Sequence, residues 1–110
     1  MPLRLGNLFK SLPAETDREH VERILENGGM RIERIISRGQ PSPDGFWYDQ
    51  PTAEWVILLK GRATLSVAGE GRTNLVAGDY LLIPARLKHR VEQTSDDAIW
   101  LALHFGAERK

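Results

Sequence analysis

From Gly29 onward apolar and polar residues alternate with a period of two, and the pattern holds almost to the end of the chain. Arg31 to Ile36, Phe46 to Tyr48, Glu54 to Lys60, Ala63 to Ala68, Leu75-Val76, Leu81 to Ile83, the segment around Val91, and Ile99 to Phe105 each read as a short strand. The breaks between them carry turn chemistry: Gly39-Gln40-Pro41-Ser42-Pro43-Asp44-Gly45, Pro51-Thr52-Ala53, Gly61, Gly69-Glu70-Gly71 and Ser95-Asp96-Asp97. Successive side chains of a strand point to opposite faces, so each strand offers one apolar face to a shared core. Many short strands at regular spacing predict an antiparallel sandwich or barrel.

The residues before Gly29 read differently. Thr16 is placed to cap a helix, with Glu19 completing a capping box three residues on. Val21, Ile24 and Leu25 fall on one helical side, with Leu12 or Ala14 in support, and Asn27-Gly28-Gly29 stops the run. So short a helix is marginal alone and must pack on something. His20, among charged neighbours, reads as a solvated surface residue. The expected organisation is an N-terminal segment and helix over 1–30 packing on the barrel, the barrel over 31–105, and a tail over 106–110.

A chain of 110 residues holds one domain and one core. Its 15 Lys and Arg balance 15 Asp and Glu, which argues against nucleic acid or a membrane surface as partner and leaves little repulsion to oppose self-association. Without cysteine there is no disulfide frame, thiolate metal site or thiol nucleophile. No apolar run is long enough for a membrane span, and MPLRLGNLFKSLP lacks the apolar core of a signal peptide, so a cytoplasmic location is expected. There is no phosphate loop and no serine-centred elbow.

The chemistry concentrates in GDYLLIPARLKHRV, where Gly78, five residues, Pro84, four residues and His89 follow one another. Leu81, Leu82 and Ile83 make the strand, Pro84 ends its pairing, and His89 follows just beyond. Upstream, Glu54 and Gly61 enclose six residues. On these residues the chain resembles the cupin superfamily, specifically the small cupin-2 proteins of bacteria, over roughly Arg31 to Phe105. Arg86 stands where the second motif has its second glycine, and Gln93 where it has asparagine. The paired histidines that open the first motif are replaced by Tyr48 and Gln50, or in the other register by Trp47 and Asp49.

The resemblance implies an all-β, cupin-like jelly-roll barrel of about eight antiparallel strands, paired into a homodimer. It also implies a metal shell of three histidines and a glutamate, of which only Glu54 and His89 carry over. Asp49 is available as a third ligand, and carboxylate with imidazole suits one divalent iron, manganese, nickel or zinc ion. A barrel of this size leaves room for one small ligand. Val56 and Leu58 share the inward face with Glu54, Gln50 joins them in the first register, and His104 joins from the last strand by its parity with Trp100 and Ala102. Trp55, Ile57 and Leu59 face the other way.

Two classes of function fit. One is a small-molecule-binding protein with a pocket of Tyr48, Gln50, Glu54 and His89. The other is an enzyme, either metal-dependent (dioxygenase-like) through Glu54, His89 and Asp49, or a metal-free isomerase or epimerase with Tyr48, Glu54 and His89 as catalytic groups. Arg86, Lys88 and Arg90 bracket His89, where they would either steer an anion or form a solvated loop. The sequence names neither the ligand nor the cofactor.

Overall fold

A computed structural model describes residues 3–14 and 19–106. Eight strands follow in order: β1 (His20–Asn27), β2 (Met30–Ser37), β3 (Ala53–Lys60), β4 (Arg62–Val67), β5 (Gly71–Val76), β6 (Tyr80–Ile83), β7 (His89–Thr94) and β8 (Ala98–Phe105). All pairings are antiparallel, in a five-stranded sheet ordered β1-β2-β8-β3-β6 and a three-stranded sheet ordered β5-β4-β7. The jelly-roll expectation holds. Among the described residues no helix is long and apolar enough to cross a membrane.

The N-terminal helix is corrected: among the described residues there is none, and its apolar run forms β1. Thr16, the expected cap, lies outside the described residues. Asn27 pairs with Met30 across Gly28-Gly29, so the apparent helix stop is a hairpin turn. Gly28 takes a left-handed φ of 60°, which glycine adopts without a side-chain penalty. The helical spacing has a cause too. Register slips between Arg23 and Leu25, and this bulge at Ile24 puts Val21 and Leu25 out of simple alternation. Val21 pairs with Ile35 and Leu25 with Ile32, on opposite faces of β2.

The segment before β1 nevertheless packs on the sheet, as irregular chain. The buried guanidinium of Arg34 donates to the carbonyls of Leu8, Lys10 and Ser11 and to Glu22, and Arg38 donates to the carbonyl of Pro13. These charged donors satisfy backbone acceptors that have no ladder partner.

Between the sheets lies a core of Val56, Leu58, Ala63, Leu65, Leu75, Ile83, Ala98, Trp100 and Ala102. Inward alternation of β3 and β8 supplies most of it, and burying these side chains is the main favourable term in folding. Gly61 closes the β3–β4 turn at φ 87°, where a Cβ would stand 2.4 Å from Ser95 Oγ and 3.0 Å from Ala98 Cα. Only glycine fits that approach. Arg86, in the place of a motif glycine, holds a left-handed φ of 67° without glycine's freedom.

Candidate functional site

Four neighbouring strands set the floor of the site. In register, Arg31 of β2 faces His104 of β8, His104 faces Glu54 of β3, and Glu54 faces Ile83 of β6. Within this row Glu54 and His104 are almost wholly buried, at 7% and 3% exposure, as is Ile83. The opposite wall comes from β7 and from the loop before β3. Ser42 exchanges hydrogen bonds with Val91, and Arg90 donates to the carbonyls of Ser42, Pro43 and Phe46, which hangs this loop on β7. The loop thereby delivers Tyr48 to His89. Their backbones exchange hydrogen bonds and their rings stack at 5.3 Å with a 20° tilt.

The orientation of His89 follows from its contacts. Nδ1 lies 3.0 Å from the carbonyl oxygen of Leu87, so it carries a hydrogen and donates it. Nε2 then faces Glu54 Oε1 at 3.6 Å, an ion-pair distance within a nearly dry site. Burial pushes the imidazole toward the neutral form. The Glu54 carboxyl beside Nε2 and the Leu87 carbonyl outweigh it, and the net shift is upward from 6.5.

Two more carboxyls complete the site. Tyr48 donates its hydroxyl to Glu19 Oε1 at 2.8 Å. Burial, together with the adjacent Glu19, pushes the phenol far above its usual range, so it remains a donor. Burial also raises the Glu19 carboxyl; the Tyr48 hydrogen bond opposes this, and the charges of Glu54 and Glu33 add to it. Glu33 accepts from His104 Nε2 at 3.1 Å and from Arg31 Nε at 2.9 Å.

Together these walls enclose a cavity of about 110 Å³ whose lining includes Glu19, Glu33, Tyr48, Gln50, Glu54, Val56, His89, Trp100 and His104. Of the residues singled out in the sequence, Tyr48, Gln50, Glu54, Val56, His89 and His104 therefore meet in one place. Leu58 does not line the cavity; it is fully buried in the core beneath. Asp49 faces away, exposed, 3.6 Å from the guanidinium of Arg86, so the register that brings in Tyr48 and Gln50 is the one adopted. Arg90 is a buried clamp on backbone carbonyls, which accounts for its place beside His89 without any ligand. Glu19 and Glu33 were not singled out. Glu19 reads as part of a helix capping box and Glu33 as one charged residue of a strand, and only the folded chain brings both to the cavity.

The donor set does not fit the metal shell of the family pattern. Among the described residues no three His, Asp or Glu side chains are grouped to hold an ion. Tyr48 and Gln50 occupy the two histidine positions, and His89 Nε2 is turned to Glu54.

Comparison with known proteins agrees with the fold. The cupin-domain family model matches residues 38–104. A protein of Ralstonia eutropha JMP134, provisionally named a mannose-6-phosphate isomerase, is 42% identical over 96% of this chain and 100% of its own, with a TM-score of 0.90. An RmlC-like cupin of Desulfovibrio desulfuricans has 18% identity and a TM-score of 0.77, covering 94% of this chain and 97% of its own. An RmlC-like cupin of Methanocaldococcus jannaschii with a double-stranded β-helix fold has 18% identity and a TM-score of 0.70, covering 88% of each chain. No curated protein matches significantly. With its two sheets closed on one core and the family match spanning more than half its length, the chain belongs to the cupin-domain family.

Proposed function

We propose that this cupin binds a small polar molecule in its barrel cavity and moves a proton on it without a metal ion. The observation that carries the reading is the His89–Glu54 pair, 3.6 Å apart and almost wholly buried on the wall of the cavity. A carboxyl and an imidazole held together out of water form an acid/base couple with a fixed direction of transfer. His89 Nε2 takes a proton from a carbon beside a carbonyl. The bonding electrons pass to the carbonyl oxygen; where the first carbon bears a hydroxyl, the same proton returns to the former carbonyl carbon while the hydroxyl gives up its hydrogen to the oxygen that gained charge and becomes the new carbonyl. Tyr48, kept protonated, offers its hydroxyl to the oxygen that gains charge. The R. eutropha relative's name lends support to isomerisation as a reaction type. A phosphate group does not transfer as readily, since no Lys or Arg is among the described residues lining the cavity.

The experiment is proton exchange in D2O. Hydroxyacetone and aminoacetone should incorporate deuterium at carbon faster with the native protein than with His89→Gln or Glu54→Gln. Exchange at the uncatalysed rate for both compounds would remove the enzymatic reading.

The proposal extends to a homodimer. Leu25, Ile32, Leu103, Trp55 and Leu82 stand side by side across all five strands on the outer face of the larger sheet, by the pairings of β1 with β2, β2 with β8, β8 with β3 and β3 with β6. Leu82 is 58% exposed and Tyr80, stacked near Trp55, 65%. A second copy of this near-neutral chain meets no net repulsion there and covers an apolar row that otherwise faces water.

A further inference from the structure

The lining of the cavity is rich in acceptors and poor in donors. Glu19, Glu33 and Glu54 all reach it, and among the described residues no Lys or Arg does. Each carboxyl has a partner, but the partners do not balance the charge equally. Glu54 stands against His89, and Glu33 is shared between Arg31 and His104. Among the described residues Glu19 has the neutral hydroxyl of Tyr48 as its partner, with two further carboxyls near enough to raise its proton affinity.

Two buried polar atoms on the same walls are also without a hydrogen-bond partner, Gln50 Oε1 and His104 Nδ1. His104, only 3% exposed, donates from Nε2 to Glu33. Gln50 Oε1 can only accept, and a buried acceptor left unpaired costs about 1–3 kcal/mol. Trp100 and Tyr48 add aromatic surface to the lining, and the faces of such rings attract cations.

We infer that the cavity selects a small organic cation, an alkylammonium or amino-substituted compound, over neutral and anionic molecules of the same shape. An ammonium group brings three donors and one positive charge, which matches the unpaired Gln50 oxygen and the excess of carboxyls together. The volume of about 110 Å³ limits the occupant to a few heavy atoms. The inference rests on the proposed use of the cavity as a ligand site.

Three nearly isosteric probes test it: propylammonium, 1-propanol and propionate, with inorganic phosphate as a second anion. Each is titrated into the full chain at constant ionic strength and followed by the amide resonances of Tyr48, Gln50 and Trp100. Propylammonium should shift them saturably with at least about tenfold higher affinity than 1-propanol, the step expected for one charge-assisted contact. The two anions should leave them unmoved. Glu33→Gln and Glu54→Gln are the variants, two so that one misfolded protein does not decide the matter. At least one folded variant should bind propylammonium about tenfold more weakly. A preference under tenfold, tighter binding of an anion, or amine affinity unchanged in the folded variants would overturn the cation inference and leave the ligand site standing. Failure of every probe to shift the cavity resonances would overturn both.

Discussion

Tyr48 and His89 are joined twice over. Tyr48 N donates to the carbonyl of His89 at 2.7 Å and His89 N to that of Tyr48 at 3.2 Å, while their rings stack at 5.3 Å. The backbone bridge is independent of the side chains, so substitutions at Tyr48 separate ring from hydroxyl. Tyr48→Phe keeps the stack and loses one hydrogen bond to Glu19, at a cost of about 1 kcal/mol. Tyr48→Ala also loses the buried ring and should cost about 3 kcal/mol. Urea unfolding measures both, and equal losses would mean that the stack contributes nothing.

His89 gives a pH dependence whose sign is fixed. Its folded proton affinity exceeds the unfolded value of 6.5, so the folded state binds the proton more tightly. The stabilisation is fully present below about pH 6.5 and is lost as the pH rises through the raised folded value. NMR titration should place the imidazole transition above 6.5 and move it down in Glu54→Gln. The advantage of native protein over His89→Gln should shrink between pH 6 and 9. A transition that ignores Glu54→Gln would detach the two groups.

Glu19 behaves in the same sense through another cause. Burial raises its carboxyl above 4.5, so stability associated with the protonated form is present below that pH and declines as Glu19 ionises. Glu19→Gln keeps an acceptor for Tyr48 and cannot ionise. The variant should unfold at higher urea than the native protein at pH 8, with the difference fading toward pH 4.

The two motif glycines separate steric from conformational need. Gly61→Ala must place a methyl against Ser95 and the backbone of Ala98 at a left-handed φ, and should cost about 2–4 kcal/mol. Gly78, at φ 97°, has open space around it, so Gly78→Ala should cost only the backbone strain, about 1–2 kcal/mol. Equal midpoint shifts in thermal unfolding would count against the close packing at Gly61.

The outer face of the larger sheet yields an assembly prediction. Trp55 sits in the apolar row between Leu103 and Leu82, with its side chain away from the cavity. Trp55→Glu should convert a dimer to a folded monomer in sedimentation velocity, because a charge in an apolar interface is costly to desolvate. A native protein that sediments as a monomer at millimolar concentration would end the dimer proposal.

The parts of this fold that the chain announces are those with strict alternation. Glu54, Val56 and Leu58 fall on one face of β3, and Trp100, Ala102 and His104 on one face of β8, so parity alone carries Glu54 and His104 inward. Parity fails where register slips. The bulge at Ile24 converted a strand into an apparent helical stripe and hid Gly28-Gly29 as the hairpin signal. The choice between Tyr48 and Trp47 depended on a single bridge to His89, and no repeat marks so short a pairing. Glu33 was illegible for a related reason: its role depends on long-range register, and charged residues on short strands look alike in sequence whether they meet water or a cavity.

The fastening of residues 42–46 to β7 by Arg90 and Ser42 has a mechanical outcome. Tyr48 and His89 are anchored to the same piece of backbone on the three-stranded sheet, whereas Glu54 belongs to β3 of the five-stranded one. The imidazole–carboxyl contact is therefore a clasp between the two sheets, and its 3.6 Å gap depends on how those sheets are spaced.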